Sequence, residues 1–303
     1  MPFHLPPLSR RQFLGRSLTG GAALLLSRHL FAAAARPADP HSWALLSDSH
    51  IAADRAKIAR EINPTDRLST VVQEVLAWEK KPAGALVNGD LSLNSGEPGD
   101  YATLAELLWP LRAAGIPLHL ALGNHDHREN FWTALHQDKR VTAPVGAKQV
   151  AIVQSARANW FVLDSLDRTN VTPGVLGAAQ LAWLAKSLDA HADKPALVMV
   201  HHNPGTGGNK NGLTETEAFF EILRPRRQVK AYLFGHSHRW SVVPDESGIH
   251  LINLPATSYP FDPVQPTGWV MAHLETNGAR LELRAHDTAH AAHGHRHHLQ
   301  WRS

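Results

Sequence analysis

From position 42 onwards the chain alternates short, largely apolar runs with longer stretches whose apolar residues recur at helical spacing. Trp43–Leu46, Ala85–Val87, Leu118–Leu122, Trp160–Leu163, Ala196–Val200 and Ala231–Phe234 are too short for helices and read as buried strands. Leu68–Trp78, Tyr101–Leu111, Leu181–Leu188 and Thr216–Leu223 read as amphipathic helices between them. This alternation predicts an α/β protein with much parallel sheet. Beyond Trp240 the runs shorten and turn residues separate them, as in Val242–Val243, His250–Asn253 and Val270–Leu274. That change of rhythm predicts a second, more antiparallel sheet.

The N-terminus does not share the pattern. Ser9-Arg10-Arg11-Gln12-Phe13-Leu14 precedes an apolar stretch over Leu18–Leu26 and the small-residue run Ala32-Ala33-Ala34-Ala35. A charged start, a short apolar core and an A-x-A site are the parts of a secretory signal, and the paired arginines resemble a twin-arginine signal. Residues 1–35 are therefore expected to direct export to the periplasm or the cell exterior. The apolar stretch is too short to anchor the mature chain in a membrane. One globular domain is expected over 36–285. Residues 286–303, with His286, His290, His293, His295, His297 and His298, are expected to form a His-rich C-terminal tail, either solvated and disordered or able to take up metal ions.

Composition changes this picture in two ways. The formal charge of +3 would suit an anionic partner such as nucleic acid, but Arg10, Arg11, Arg16 and Arg28 lie in the leader, which carries no acidic residue. Without them 30 − 4 = 26 basic residues face 27 acidic ones, and the case for nucleic acid weakens. Cysteine is absent, so neither disulfides nor thiolates contribute.

The candidate chemistry sits directly after predicted strands: Asp48-Ser49-His50, Gly89-Asp90, Gly123-Asn124-His125-Asp126, His201-His202-Asn203-Pro204 and Gly235-His236-Ser237-His238. In open α/β sheets, ligand sites gather outside the carboxyl ends of the strands, so five loops are expected to converge. Carboxylate, amide and imidazole donors suit Mn, Fe, Zn and similar divalent ions. Alternate positions, as in Asp-x-His and His-x-His, project to one side of an extended chain.

In this order the motifs resemble the calcineurin-like metallophosphoesterase superfamily, over about 42–241. The resemblance implies a four-layer α-β-β-α sandwich, two mixed sheets flanked by helices, with two metals at one edge. It places Asp48, His50 and His238 on one metal and Asn124, His201 and His236 on the other, with Asp90 bridging; His202 is the alternative to His201. Two such ions activate a hydroxide as the nucleophile. It further implies His125 as proton donor to the leaving oxygen, with Asp126 orienting its ring. Arg128 either contacts the substrate phosphate or starts a surface helix.

Purple acid phosphatases of this superfamily carry a tyrosine ligand three positions after the Gly-Asp aspartate, where this chain has Leu93. The stretch from Asn88 to Tyr101 instead resembles the branch of cyclic-nucleotide and glycerophosphodiester phosphodiesterases, so a small phosphodiester is the expected substrate. A phosphomonoesterase, a nuclease or a metal-binding module without activity are the other readings. The Gly- and Asn-rich Gly205–Asn211 is either a rim of the pocket or an ordinary loop.

Overall fold

The computed structural model describes residues 4–5, 37–135, 144–205 and 210–303. The paired arginines, the apolar stretch and the alanine run of the leader lie outside the described residues, as do positions 206–209 of the Gly205–Asn211 loop.

Among the described residues, thirteen strands form two sheets. The first has seven, in the order β1 (His4–Leu5), β4 (Leu118–Ala121), β3 (Lys81–Asn88), β2 (Ala38–Leu46), β11 (Gly268–Leu274), β12 (Gly278–Ala285) and β13 (Arg296–Gln300). Strands β2, β3 and β4 run parallel, and β11 to β13 continue the sheet antiparallel. The second has six, in the order β5 (Ala151–Gln154), β6 (Asn159–Val162), β7 (Ala196–Met199), β8 (Val229–Phe234), β10 (His250–Asn253) and β9 (Ser241–Pro244). Its centre, β6-β7-β8-β10, is parallel, and β5 and β9 close its edges antiparallel.

The layers follow from the period-2 alternation of the strands. On β2, Trp43 and Leu45 face one cluster while Ala44 and Leu46 face another. The first pair meets Leu197 and Met199 of β7, Leu233 of β8 and Val270 of β11 between the sheets. The second pair meets Leu68, Val72 and Val75 of helix α1 (Pro64–Ala77) and Leu104 and Leu108 of helix α2 (Pro98–Ala113). Val198 and Val200 turn outward to Leu184 and Leu188 of α4 (Ala178–Ala190) and Phe219 of α5 (Thr216–Leu223). The result is the expected α-β-β-α sandwich. A short α3 (Arg128–Leu135) follows the Asn124–Asp126 loop.

Local signals fix the helix starts. Asn63 accepts hydrogen bonds from the backbone N–H of Thr65 and Asp66, with Pro64 in the first turn of α1. Glu97 and Asp100 form a capping box at the start of α2.

Two expectations are corrected. The segment beyond Trp240 is not a separate antiparallel sheet: β9 and β10 extend the second sheet, and β11 to β13 extend the first. Nor is 286–303 a disordered tail, because β13 pairs with β12 from Gly278↔Gln300 to Glu282↔Arg296 and buries Leu299. Among the described residues, no helix is long and apolar enough to cross a membrane.

Candidate metal centre

Each predicted site residue lies just past the carboxyl end of a parallel strand. Asp48 and His50 follow β2, Asp90 follows β3, Asn124 and His125 follow β4, His201 follows β7, and His236 and His238 follow β8. Sheet one thus supplies the first five and sheet two the last three. Gly123 and Gly235 let the loops meet: a Cβ at Gly123 would collide with Asp90 Oδ1, and one at Gly235 with Ser47 Oγ and Asp48 Oδ2. Backbone strain marks the same positions. Asp48, His50, Asp90, His236 and His238 all adopt positive φ, between 45° and 65°, a conformation uncommon outside glycine. It is found here because each strand must curl sharply to aim its side chain at one point.

The side chains converge in overlapping groups. Asp48, His50 and His238 form one, Asp90, His201 and His236 another, and His50, Asp90 and His125 a third, with the candidate ligand atoms of each group within 4.8 Å of one another. Asp90 Oδ2 lies 3.3 Å from His201 Nε2 and 3.7 Å from His50 Nε2, so it stands between the two halves. Asp48 Oδ1 lies 3.3 Å from His238 Nε2. His201, not His202, joins the cluster; the His202 Nδ1 is engaged with Ser165 Oγ at 2.8 Å.

Backbone carbonyls set the histidine rings. Nδ1 of His201 donates to Asn88 O at 2.8 Å, that of His50 faces Leu93 O at 3.4 Å, and that of His238 donates to Tyr259 O. Each leaves Nε2 pointing inward as a lone-pair donor. Asn124 Oδ1 is buried with no hydrogen-bond partner among the described residues, and His201 Nε2 faces the Asp90 carboxylate. An orphaned, buried amide oxygen and inward-facing imidazole nitrogens around a shared carboxylate fit divalent metal ions.

Comparison with known proteins agrees with this geometry. The calcineurin-like phosphoesterase family model matches residues 41–240. The chain belongs to the calcineurin-like phosphoesterase family. It is 30% identical over 224 residues to the 3',5'-cyclic adenosine monophosphate phosphodiesterase of Pseudomonas aeruginosa, covering 72% of this chain and 76% of that protein. It is 27% identical over 261 residues to a cAMP/cGMP dual specificity phosphodiesterase of Mycobacterium tuberculosis, covering 84% of this chain and 79% of the relative. A dimetal phosphatase from Danio rerio shares the fold, with a TM-score of 0.65 at 14% identity over 87% of this chain and all of that one.

Within this calcineurin-like phosphoesterase, two residues stand differently from the sequence reading. His125 is held by Asn94 O and Asn170 Oδ1, each 2.9 Å from its Nδ1, rather than by Asp126. The Asp126 carboxylate instead accepts from the backbone N–H of Gly123, Leu91 and Ser92 and from Tyr101 Oη, at 2.8–3.2 Å. It ties the loops after β3 and β4 together. Arg128 starts α3, one of its two expected roles, and its side chain pairs side-on with Asp164, at 2.8 and 3.1 Å, and also donates to Leu166 O. Asn170 had no motif to announce it; it sits in an unpatterned loop, at a φ of 61°.

Without metal, opposite charges compensate one another. Burial would raise the Asp48 carboxyl, but His238 and His201 bring it down to about 2. Burial likewise opposes ionisation of Asp90, and His201 and His50 hold it well below the ordinary carboxylate range. Burial would lower His201, yet Asp90 and Asp48 raise it to about 9. Burial dominates at His50 and His236, which fall to about 3 and about 4 and so stay neutral. Burial together with the Asp90 charge pushes Asp126 up to about 7.

Proposed function

We propose that this protein hydrolyses small phosphodiesters, cyclic nucleotides foremost, at a centre of two divalent transition-metal ions such as Fe, Mn or Zn. Asp48, His50 and His238 would hold one ion, Asn124, His201 and His236 the other, and Asp90 both. The observation that carries this reading is the position of Asp90 in donor groups on both sides of it, with His125 in one of them. When bound, such ions supply Lewis acidity toward water and the phosphoryl oxygens. The chain's own contribution is a placed proton. Asn94 O and Asn170 Oδ1 both accept from Nδ1 of His125, which fixes the ring with Nε2 toward the centre. In its protonated form that ring donates from Nε2 to the leaving oxygen.

The relatives' activity on cyclic nucleotides supports the diester choice, as does Leu93 at the position where purple acid phosphatases carry tyrosine. Catalytic efficiency of metal-reconstituted protein is expected to be greater for cyclic AMP and bis(nitrophenyl) phosphate than for nitrophenyl phosphate. His125→Ala is expected to lower turnover of cyclic AMP by about two to four orders of magnitude while metal content stays unchanged. Monoester efficiency more than about tenfold above every diester would overturn the diester assignment. Unchanged turnover in His125→Ala would overturn the proton-donor role.

We also propose that the protein is exported, on the strength of the Arg10-Arg11 pair and the apolar run that follows it.

A further inference from the structure

Beside the metal centre lies a layer of groups that the proposed chemistry does not use. The Phe261 ring stacks on the His238 ring, with centroids 3.9 Å apart and planes within 13°. Tyr259 stacks on His50 at 5.0 Å. Above them sits the Arg60 guanidinium, 4.9 Å from the Phe261 centroid and 5.7 Å from that of Tyr259. Arg60 is exposed and has no ion-pair partner among the described residues, and Phe261 and Ile58 are each about half exposed.

The turn that presents Arg60 is held at a conformational cost. Ala59 and Ile62 exchange both backbone hydrogen bonds, at 2.8 and 3.0 Å, and the two residues between them, Arg60 and Glu61, have φ of 48° and 66°. A two-residue turn with both centres at positive φ ordinarily takes Asn-Gly or Gly-Gly. An arginine and a glutamate there are disfavoured by their Cβ atoms, and strain of this kind concentrates at functional sites.

From this arrangement we propose that Arg60 and Phe261 form the platform on which the nucleobase of the substrate stacks. A planar guanidinium backed by aromatic rings offers a flat, weakly hydrated face, which favours an aromatic base over an aliphatic arm. The phosphoryl group would lie over the centre, and the base would extend past His238 onto the platform. The identity of the arm as a nucleobase rests on the phosphodiesterase reading, and the platform makes it specific: nucleoside cyclic phosphates are preferred over glycerophosphodiesters.

The test is calorimetric binding to metal-loaded full-length protein of AMP, ribose 5-phosphate and inorganic phosphate, none of which requires turnover. AMP is expected to bind at least tenfold more tightly than ribose 5-phosphate. Arg60→Ala and Phe261→Ala should each weaken AMP about tenfold, the usual scale for one stacked base, and the other two probes less than twofold. Arg60→Lys, which keeps the charge and loses the plane, should also lose AMP affinity. Equal weakening of all three probes, or full rescue by lysine, would place Arg60 on the phosphate and overturn the platform. Unchanged AMP affinity in both alanine variants would overturn it too. Failure of the diesterase reading registers elsewhere, as absent hydrolysis of cyclic AMP by protein that still binds AMP through Arg60 and Phe261.

Discussion

The Asp126 carboxylate is fully buried and accepts three backbone N–H groups and the Tyr101 hydroxyl, drawn from the loops after β3 and β4 and from α2. Its removal would leave four donors buried without a partner, each costing about 1–3 kcal/mol. Asn170, by contrast, contacts the His125 ring and offers a side-chain oxygen at the edge of the site. The two residues should therefore separate cleanly. Asp126→Ala is expected to lose about 3 kcal/mol or more of stability in denaturant titrations. Asn170→Ala should keep its stability and lose turnover, most for poor leaving groups, since those depend on a positioned proton. The reverse pattern would return Asp126 to the role of ring orienter. The Asn-His-Asp run points to that role because adjacency in sequence suggests contact. The tight turn sends the two side chains apart, and the partner of His125 comes from a loop 45 residues away. The seven donor residues were legible because each follows an apolar run that only a strand satisfies. Arg60, Tyr259 and Phe261 were not, since a stacking wall has no spacing rule to read.

At the scale of elements, periodicity located the buried strands and the helices α1, α2, α4 and α5, since the apolar pattern is the direct signature of burial. It did not say which strand pairs with which. The chain returns from β10 to β11 across the two sheets, and nothing local to Val242–Val243 or Val270–Leu274 encodes that crossing. Strand β13 was hidden for another reason. As an edge strand it buries Leu299 while its histidines stay outside or half-buried, so its composition looked like that of a solvated tail. Yet the residues just beyond it hold the molecule together. Arg302 donates to Val229 O at the start of β8, to Leu223 O and Arg226 O past the end of α5, and to Ser247 O, at 2.7–3.2 Å. It links the last strand of sheet one to sheet two and gives a second donor to Leu223 O and Arg226 O, which already accept from the backbone N–H of Arg226 and Val229. Arg302→Ala is expected to cost about 1–3 kcal/mol and to lower the melting temperature by about 2–4 °C for each of these, with metal content unchanged. A variant that melts as the parent does would show β13 to be an ornament on the sheet rather than a clasp.

For the molecule as a whole, the metal donors come from both sheets: Asp48, His50, Asp90 and Asn124 from one, His201, His236 and His238 from the other. A complete centre therefore exists only after the sheets have docked, and metal binding and folding are coupled. With no cysteine, no disulfide can compensate outside the cell for a centre loaded late. If the protein is exported, as proposed above from the Arg10-Arg11 pair, export in the folded, loaded state is the route that agrees with both constraints. Loss of the leader would cost the fold little, because His4–Leu5 pairs with β4 through only two residues, at the sheet edge. Replacing Arg10 and Arg11 together by lysine, in a host with the twin-arginine pathway, is expected to retain folded, metal-containing, active enzyme in the cytoplasm. Fractionation with activity and elemental analysis of each compartment checks this. Normal export of the lysine variant would show that the pair is not read as a twin-arginine signal. The sheets would then have to dock and take up their metals after crossing the membrane.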